Sequence, residues 1–214
     1  MIPHVAWPVD PGAFWPFLVA VAFVELTPGP NMAWLAALTV AEGRVAGLRA
    51  VAGVTLGLTI YMLASVVGVT GVIAAAPDVY AALRLAGVAY LLWLAFEAWR
   101  GAGDIAAGSG DGAAPFRRGL IANLLNPKAA VFYVTLLPGF IAPDHGAFWS
   151  QALILGAAHI SVSVAIHAGI VLLADRMARY LGVTTPSPRT IALRRALAIG
   201  IGLVAVWLWW ETRA

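Results

Sequence analysis

The sequence predicts an all-α integral membrane protein with six transmembrane helices. Its 214 residues are 62% hydrophobic and only 11% charged, whereas a soluble domain carries about a quarter charged residues. The apolar residues form long runs, each close to the roughly 20 residues that cross a bilayer as a helix. No stretch has the composition of a separate soluble domain. We therefore predict one membrane domain over residues 1–214, with the lipid bilayer as its main partner.

The predicted spans form two groups of three. Between the third and fourth spans lies a segment rich in Gly, Asp and Ala, residues 101–118, which we predict to be a flexible linker. It separates a first half, 1–100, from a second half, 119–214. In chain order the predicted spans are 14–40, 50–72, 80–99, 119–141, 148–174 and 192–210. Because each half has an odd number of spans, the second half enters the membrane from the opposite side, as in an inverted repeat.

The basic residues predict the orientation in the membrane. Ten of the thirteen Lys and Arg residues lie at one end of the spans, and only Arg84 and Arg213 lie at the other end. Such an excess marks the cytoplasmic side, so we predict a cytoplasmic linker and periplasmic termini. If the first half of span one were re-entrant, the N-terminus would be cytoplasmic and the spans would number five. The ten residues are Arg44, Arg49, Arg100, Arg117, Arg118, Arg176, Arg179, Arg189, Arg194 and Arg195.

The first span is interrupted by the sequence ELTPGPN, residues 25–31. Pro28 and Pro30 lack the N–H that continues a helix, and each ring crowds a carbonyl of the preceding turn. Gly29 between them has unusual backbone freedom. We predict that the helix stops near Thr27 and restarts at Pro30. The break lies roughly 21 Å into the span, where unpaired backbone is tolerated only beside protein or a water-filled cavity.

The fourth span contains a second interruption, Asn126-Pro127-Lys128. Pro127 is expected to free the carbonyl of Asn123. Lys128 is the only lysine in the chain, and an ammonium group at this depth costs about 3 kcal/mol. Breaks at matching positions of two repeats indicate a transporter's binding site. Two structural alternatives stay open: Lys128 snorkels to the cytoplasmic surface, or it pairs with Glu25 only for neutrality.

Two histidines in the fifth span are weaker candidates. His159 and His167 are eight residues apart, so they point roughly the same way, about 12 Å apart. Together with Asp175, and with Ser161 and Ser163, they form a candidate proton path. Such residues more often hydrogen-bond between helices, and that alternative is left open.

These motifs resemble those of the LysE/RhtB family of bacterial amino-acid exporters. The resemblance covers nearly the whole chain, with TPGPNMAWLAALTVAEGRVAGLRAVAGVTLGL near the start, GVAYLLWLAFEAWR in the third span and NLLNPKAAVFYVTLLPGFI after the linker. It implies a carrier in the bacterial inner membrane that moves amino acids out of the cytoplasm, driven by proton or substrate gradients. The role expected of Glu25 does not come from this resemblance and is argued from physical chemistry alone. The motif positions that carry over are Pro28, Gly29, Pro30, Asn31, Asn126, Pro127 and Lys128.

We predict a secondary exporter of amino acids or related small metabolites. Helix N-termini carry partial positive charge, so residues 30–32 are expected to hold a substrate carboxylate. Glu25 is expected to bind the amino group or to carry a coupling proton. Few acidic residues lie in the spans, only Glu25 and, near span ends, Asp175 or Glu97. A neutral substrate is therefore favoured over a basic one.

Two alternative function classes stay open. One is an intramembrane enzyme acting on lipid or acyl substrates through His159 or His167, and the other is a passive channel. The chain has no cysteine, which excludes thiol chemistry. Its sole lysine follows a proline, so no nucleotide-binding Gly-Lys-Ser/Thr motif exists. We predict no cofactor, no metal and no nucleic-acid partner, and we leave a homodimer open.

Overall fold

The computed structural model describes residues 7–27, 29–68, 77–100, 112–182 and 188–211. In these ranges the chain is helical and contains no strand, which confirms the predicted all-α class. The eight α-helices among the described residues are α1 Pro11–Leu26, α2 Pro30–Glu42, α3 Arg44–Val66, α4 Pro77–Arg100, α5 Ala114–Leu124, α6 Pro127–Val131, α7 Phe148–Tyr180 and α8 Pro188–Glu211. A π-helical turn, Phe132–Leu136, and a 3₁₀ turn, Leu137–Phe140, follow α6.

Three described helices are long and apolar enough to cross a membrane: α3, α7 and the Thr190–Trp207 part of α8. Two bent pairs bring the number to five if each pair is one span. The bend is 54° between α1 and α2, and 52° between α5 and the segment Pro127–Phe140. A sixth span would be α4, whose 24 residues extend for about 36 Å. The inverted repeat of six spans stays a prediction.

Several helix boundaries differ from the predicted ones. Helix α3 begins at Arg44, six residues before the predicted start, because Gly43 with φ 84° ends α2 and no helix breaker follows. Helix α7 continues to Tyr180 because nothing in its sequence stops it at 174. Helix α5 begins at Ala114, inside the predicted linker, where Pro115 suits the first turn of a helix. Residues 101–111 of that linker lie outside the described residues.

Helices α3 and α5 pack with their backbones in close contact. A side chain on Gly53 would overlap the carbonyl of Phe116, and one on Gly119 would overlap the carbonyl of Ala50. Small residues at helix contacts in membranes permit this approach. The contact holds α5, and therefore the second helix break, against the centre of the molecule.

The buried apolar side chains form two clusters, and α3 and α7 contribute to both. One cluster joins α1, α3, the segment 129–137 and α7 around Phe17, Val21 and Leu155. The other joins α2, α3, α4, α5, α7 and α8 around Leu35 and Val171. On α7, the buried polar residues 159–167 lie between Leu155 of the first cluster and Val171 of the second. The fold thus leaves a polar layer between two apolar ones.

Candidate functional site

A cavity lies where the two helix breaks meet the middle of α7. Its space for water-sized molecules is about 30 Å³, enough for about two waters. The cavity is therefore too small for an amino acid in this conformation. Its polar lining residues are Glu25, Gly29 and Asn31 from the first break, Asn123, Asn126 and Lys128 from the second break, and His159, Ser163 and His167 from α7.

At the first break, α1 ends at Leu26 and Thr27 is extended, with ψ 120°. Helix α2 begins at Pro30, after Gly29 as its N-cap residue, and no described side chain caps this end. The carbonyl of Thr27 has left the helix and accepts a hydrogen bond of 3.1 Å from the Lys128 ammonium. The break thus falls where the sequence predicts it. Pro28 lies outside the described residues.

The second break is capped by its own side chain. The Asn126 Oδ1 atom accepts a hydrogen bond of 3.0 Å from the Lys128 backbone N–H at the start of α6. The expectation that Pro127 frees the Asn123 carbonyl is wrong. The last turn of α5 tightens, and the Asn126 N–H donates to that carbonyl at 3.0 Å. The carbonyl of Leu124 instead accepts a hydrogen bond of 2.8 Å from the Tyr61 hydroxyl.

Glu25 is buried, with 7% of its surface exposed, and two histidines of α7 face its carboxylate. The His159 Nε2 atom lies 3.0 Å from Glu25 Oε1, and the His167 Nδ1 atom lies 3.9 Å from Oε2. On the other side of its ring, His159 Nδ1 lies 3.1 Å from the Tyr133 hydroxyl. His167 Nδ1 also lies 3.0 Å from the Ser163 hydroxyl. A buried hydrogen-bonded line therefore runs from Tyr133 through His159 to Glu25.

The π-helical turn places two consecutive aromatic residues against His159. The Phe132 ring stacks on the imidazole with centroids 3.7 Å apart, and the Tyr133 ring lies at 5.3 Å. Pro138 has no N–H and its ring would crowd the carbonyl of Val134 in a regular helix. The chain widens instead, so that the Leu137 N–H donates to the Phe132 carbonyl. Such π turns are frequent at functional sites.

Glu25 and Lys128 share the cavity without touching each other. Glu25 is held by the histidines and Lys128 by the Thr27 carbonyl, and within the described residues no ion pair joins the two. The Lys128 side chain is directed to the first break. The cavity therefore contains one carboxylate and one ammonium, each with a different neighbour.

Two buried side-chain oxygens of the cavity have no hydrogen-bond partner among the described residues: Asn31 Oδ1 and Asn123 Oδ1. Both residues are almost completely buried, at 5% and 2% exposure. An unpaired buried polar group costs about 1–3 kcal/mol. Buried polar groups of this kind are typical of a site whose partner is a bound ligand or water.

The structure does not bring Asp175 to this site. Its carboxylate pairs with Arg179 on the next turn of α7 at 2.7 Å, and it lies about 12 Å along the helix from His167. Ser161 bonds to its own helix. The sequence reasoning missed Tyr133, because a tyrosine in an apolar run is ordinarily a packing residue. Within the described residues, no group of His, Asp and Glu side chains has the geometry of a metal site.

Comparison with known proteins identifies the family. The model of the LysE type translocators matches residues 22–211, which include both helix breaks and all of α7. The chain belongs to the LysE type translocator family. It is a membrane transporter rather than an enzyme, and its apolar helices fit a multi-pass membrane protein.

Relatives of this LysE translocator include efflux proteins. It is 31% identical to a homoserine/homoserine lactone efflux protein of Salmonella typhimurium over 77% of this chain and 82% of that protein. It is 32% identical to a leucine efflux protein of an Enterobacter species over 60% of this chain and 63% of that protein. It is 35% identical to a membrane protein of Pseudomonas aeruginosa, with 62% of this chain matching 65% of that protein. No solved structure matches the chain.

Proposed function

We propose that this translocator exports neutral amino acids from the cytoplasm in exchange for protons. The observation that carries the proposal is the single carboxylate and the single ammonium of the cavity, each placed at a helix break. A zwitterionic amino acid has one ammonium group for the cavity's carboxylate and one carboxylate for its ammonium. The names of two relatives, for homoserine or its lactone and for leucine, support the same substrate class.

The substrate carboxylate is assigned to the N-terminus of α2. Asn126 caps α6, whereas the N-terminus of α2 has no side-chain cap among the described residues. Pro30 has no N–H, and the Met32 and Ala33 N–H groups donate to the Gly29 carbonyl, so it is the partial positive charge of this helix end that favours an anion. The Lys128 ammonium lies beside it, and Asn31, in the first turn of α2, also lines the cavity. These groups converge on one end of the cavity.

The substrate amino group is assigned to Glu25. Its Oε1 atom is bonded to His159, but Oε2 has only His167 at 3.9 Å, which is longer than a hydrogen bond. A basic substrate would bring a second positive charge, and Glu25 is the sole acidic residue among the described lining residues. An unpaired charge in such a site is costly. A neutral side chain is therefore favoured.

We also propose that this structure is a closed state of an alternating-access cycle. Along α7 the polar lining residues lie between residues of the two apolar clusters, and the cavity is too small for substrate. Polar side chains meet at each end: Glu42 at the end of α2 pairs with Arg118 of α5 at 3.3 Å, and Asp10 before α1 lies 3.7 Å from His145 before α7. Opening one end at a time would expose the cavity to one side. The described cavity is formed within one chain, so a homodimer is not required.

The orientation is proposed from the distribution of arginines, with both termini in the periplasm and the protein in the bacterial inner membrane. The chain has no cysteine, so single cysteines report on sidedness. We expect Asp144→Cys, in the exposed loop before α7, to react with an impermeant thiol reagent in intact cells. Tyr180→Cys, at the other end of α7, is expected to react only after lysis. The reverse pattern would contradict the orientation.

Gly29→Ala tests the position of the binding site. The backbone at Gly29 has φ −144°, which any residue adopts, and an added methyl would have its nearest neighbours, including Lys128 Nζ, at 3.9 Å. The variant is therefore expected to fold normally. The methyl would occupy the proposed carboxylate site, so the KM for amino-acid export in vesicles is expected to rise about tenfold, as for overpacking of 1–3 kcal/mol.

The matched control is Gly169→Ala on α7. An added methyl there has no neighbour within 4 Å, so its transport is expected to equal that of the unmodified protein. If Gly29→Ala and Gly169→Ala transported equally well, substrate would not bind at the N-terminus of α2.

A further inference from the structure

We infer that Tyr133, His159 and Glu25 form one proton-storing unit, and that a stored proton and the substrate's ammonium exclude each other there. The inference rests on the proposed function, because it concerns how the exporter couples substrate to protons. It adds two residues, Tyr133 and His159, to the coupling chemistry of Glu25.

The unit holds or releases one proton without losing a hydrogen bond. When the carboxylate is ionised it only accepts, so His159 Nε2–H donates to Glu25 and the Tyr133 O–H donates to Nδ1. When one proton is added, two arrangements preserve both bonds. Either Nδ1–H donates to the Tyr133 oxygen and Nε2–H to the carboxylate, or a protonated Glu25 donates to Nε2 while Nδ1–H donates to Tyr133. The tyrosine hydroxyl permits the exchange because it both donates and accepts.

The environment of the unit contains few other charges. Lys128 enters from α6 and His167 from α7, and these complete the titratable lining of the described cavity. From α3, the Tyr61 ring stacks on Tyr133 at 6.0 Å, while its hydroxyl is engaged by the Leu124 carbonyl. His159 has 1% of its surface exposed. A proton on the unit is therefore shielded from bulk water until the cavity opens.

Substrate and proton compete through the charge of Glu25. An ammonium bound at Oε2 favours the ionised carboxylate and opposes a second positive charge on His159. Binding of one zwitterion to the protonated unit thus yields the bound zwitterion, an ionised unit and one free proton. When the cavity opens to the periplasm, the substrate leaves and one proton binds to the unit again. Each cycle therefore moves one neutral molecule out and one positive charge in.

The test counts the protons released on binding. Purified protein is titrated calorimetrically with L-leucine and with L-homoserine, in buffers that differ in ionisation enthalpy, across a range of pH. In the pH range where the unit is protonated, we expect about one proton released for each amino acid bound. Tyr133→Phe keeps the ring that packs on His159 and removes the hydroxyl, and we expect it to move the pH midpoint of proton release by at least half a pH unit. His159→Gln, whose amide still donates to Glu25, is expected to move the midpoint further.

Asp144→Asn is the matched control, because Asp144 is a titratable residue in the exposed loop before α7 and is not among the residues that line the cavity. It is expected to release protons as the unmodified protein does. The inference would be overturned if amino acid bound without proton release at every pH, or if both Tyr133→Phe and His159→Gln kept the unmodified midpoint. A different result would contradict the proposed function, namely that vesicles containing the protein export neither amino acid.

Discussion

Glu25→Gln is expected to abolish proton-driven export while leaving the protein folded. Glutamine is nearly isosteric, and its side-chain oxygen still accepts a hydrogen bond from His159 Nε2–H. It cannot be ionised, so it neither binds an ammonium group strongly nor exchanges a proton. Loss of a hydrogen bond to a charged group is worth about 1.5–3 kcal/mol, so the rate of export under a pH gradient is expected to fall about 10- to 100-fold, to the rate measured without a gradient.

The double variant Glu25→Leu with Lys128→Met separates function from charge balance. If the two groups only neutralised the cavity, apolar replacements of both would preserve export and would often raise stability. We expect a protein with an unchanged or higher thermal unfolding midpoint in detergent and no export. A double variant that exported amino acid at the unmodified rate would show that neither charge carries function.

Lys128→Met is expected to have the second-largest effect. Methionine has a similar length and packs in apolar surroundings, but it cannot attract a carboxylate or donate to the Thr27 carbonyl at the first break. Both losses weaken substrate binding at the N-terminus of α2. We expect the KM for export to rise about 10- to 100-fold, as for a charge-assisted hydrogen bond.

Lys128→Arg is expected to restore only part of this loss, because a planar guanidinium does not replace a compact ammonium. Arg179→Met is the matched control. It removes a charge of the same sign at the exposed end of α7, where Arg179 pairs only with Asp175 on its own helix among the described contacts. Its KM is expected to stay unchanged. Equal KM values for Lys128→Met and Arg179→Met would remove Lys128 from the binding site.

The helix breaks are predictable from sequence because their causes are local. Proline removes an N–H and crowds one carbonyl of the preceding turn. Pro30 is accordingly the first residue of α2 and Pro127 the first residue of α6, each a few residues after the preceding helix ends. Helix ends without such signals are harder to predict. The arginines at 44 and 49 suggest a loop before the second span, but the structure begins α3 at Arg44. The boundary follows from the positive φ of Gly43, which ends α2 immediately before it.

The partners of the buried charges depend on contacts distant in sequence. Glu25 and His159 are 134 residues apart, and Lys128 meets the Thr27 carbonyl across 101 residues. A sequence shows that each buried charge needs a partner, but not which of several polar groups supplies it. Tyr133 was unpredictable for a related reason. Its hydroxyl bonds to His159 from the π-helical turn Phe132–Leu136, and neither that turn nor the packing of α7 against it is evident from the sequence.

The most direct test of the account is amino-acid export in proteoliposomes that contain only this protein. Vesicles are loaded with radiolabelled L-leucine or L-homoserine, and the outside is made more acidic than the inside. We expect the gradient to accelerate efflux of at least one of the two amino acids, a protonophore to remove the acceleration, and Glu25→Gln to show none. Coupling of amino acid to protons at this cavity would be contradicted if efflux had the same rate with and without the gradient. It would also be contradicted if the gradient accelerated efflux by Glu25→Gln as much as by the unmodified protein.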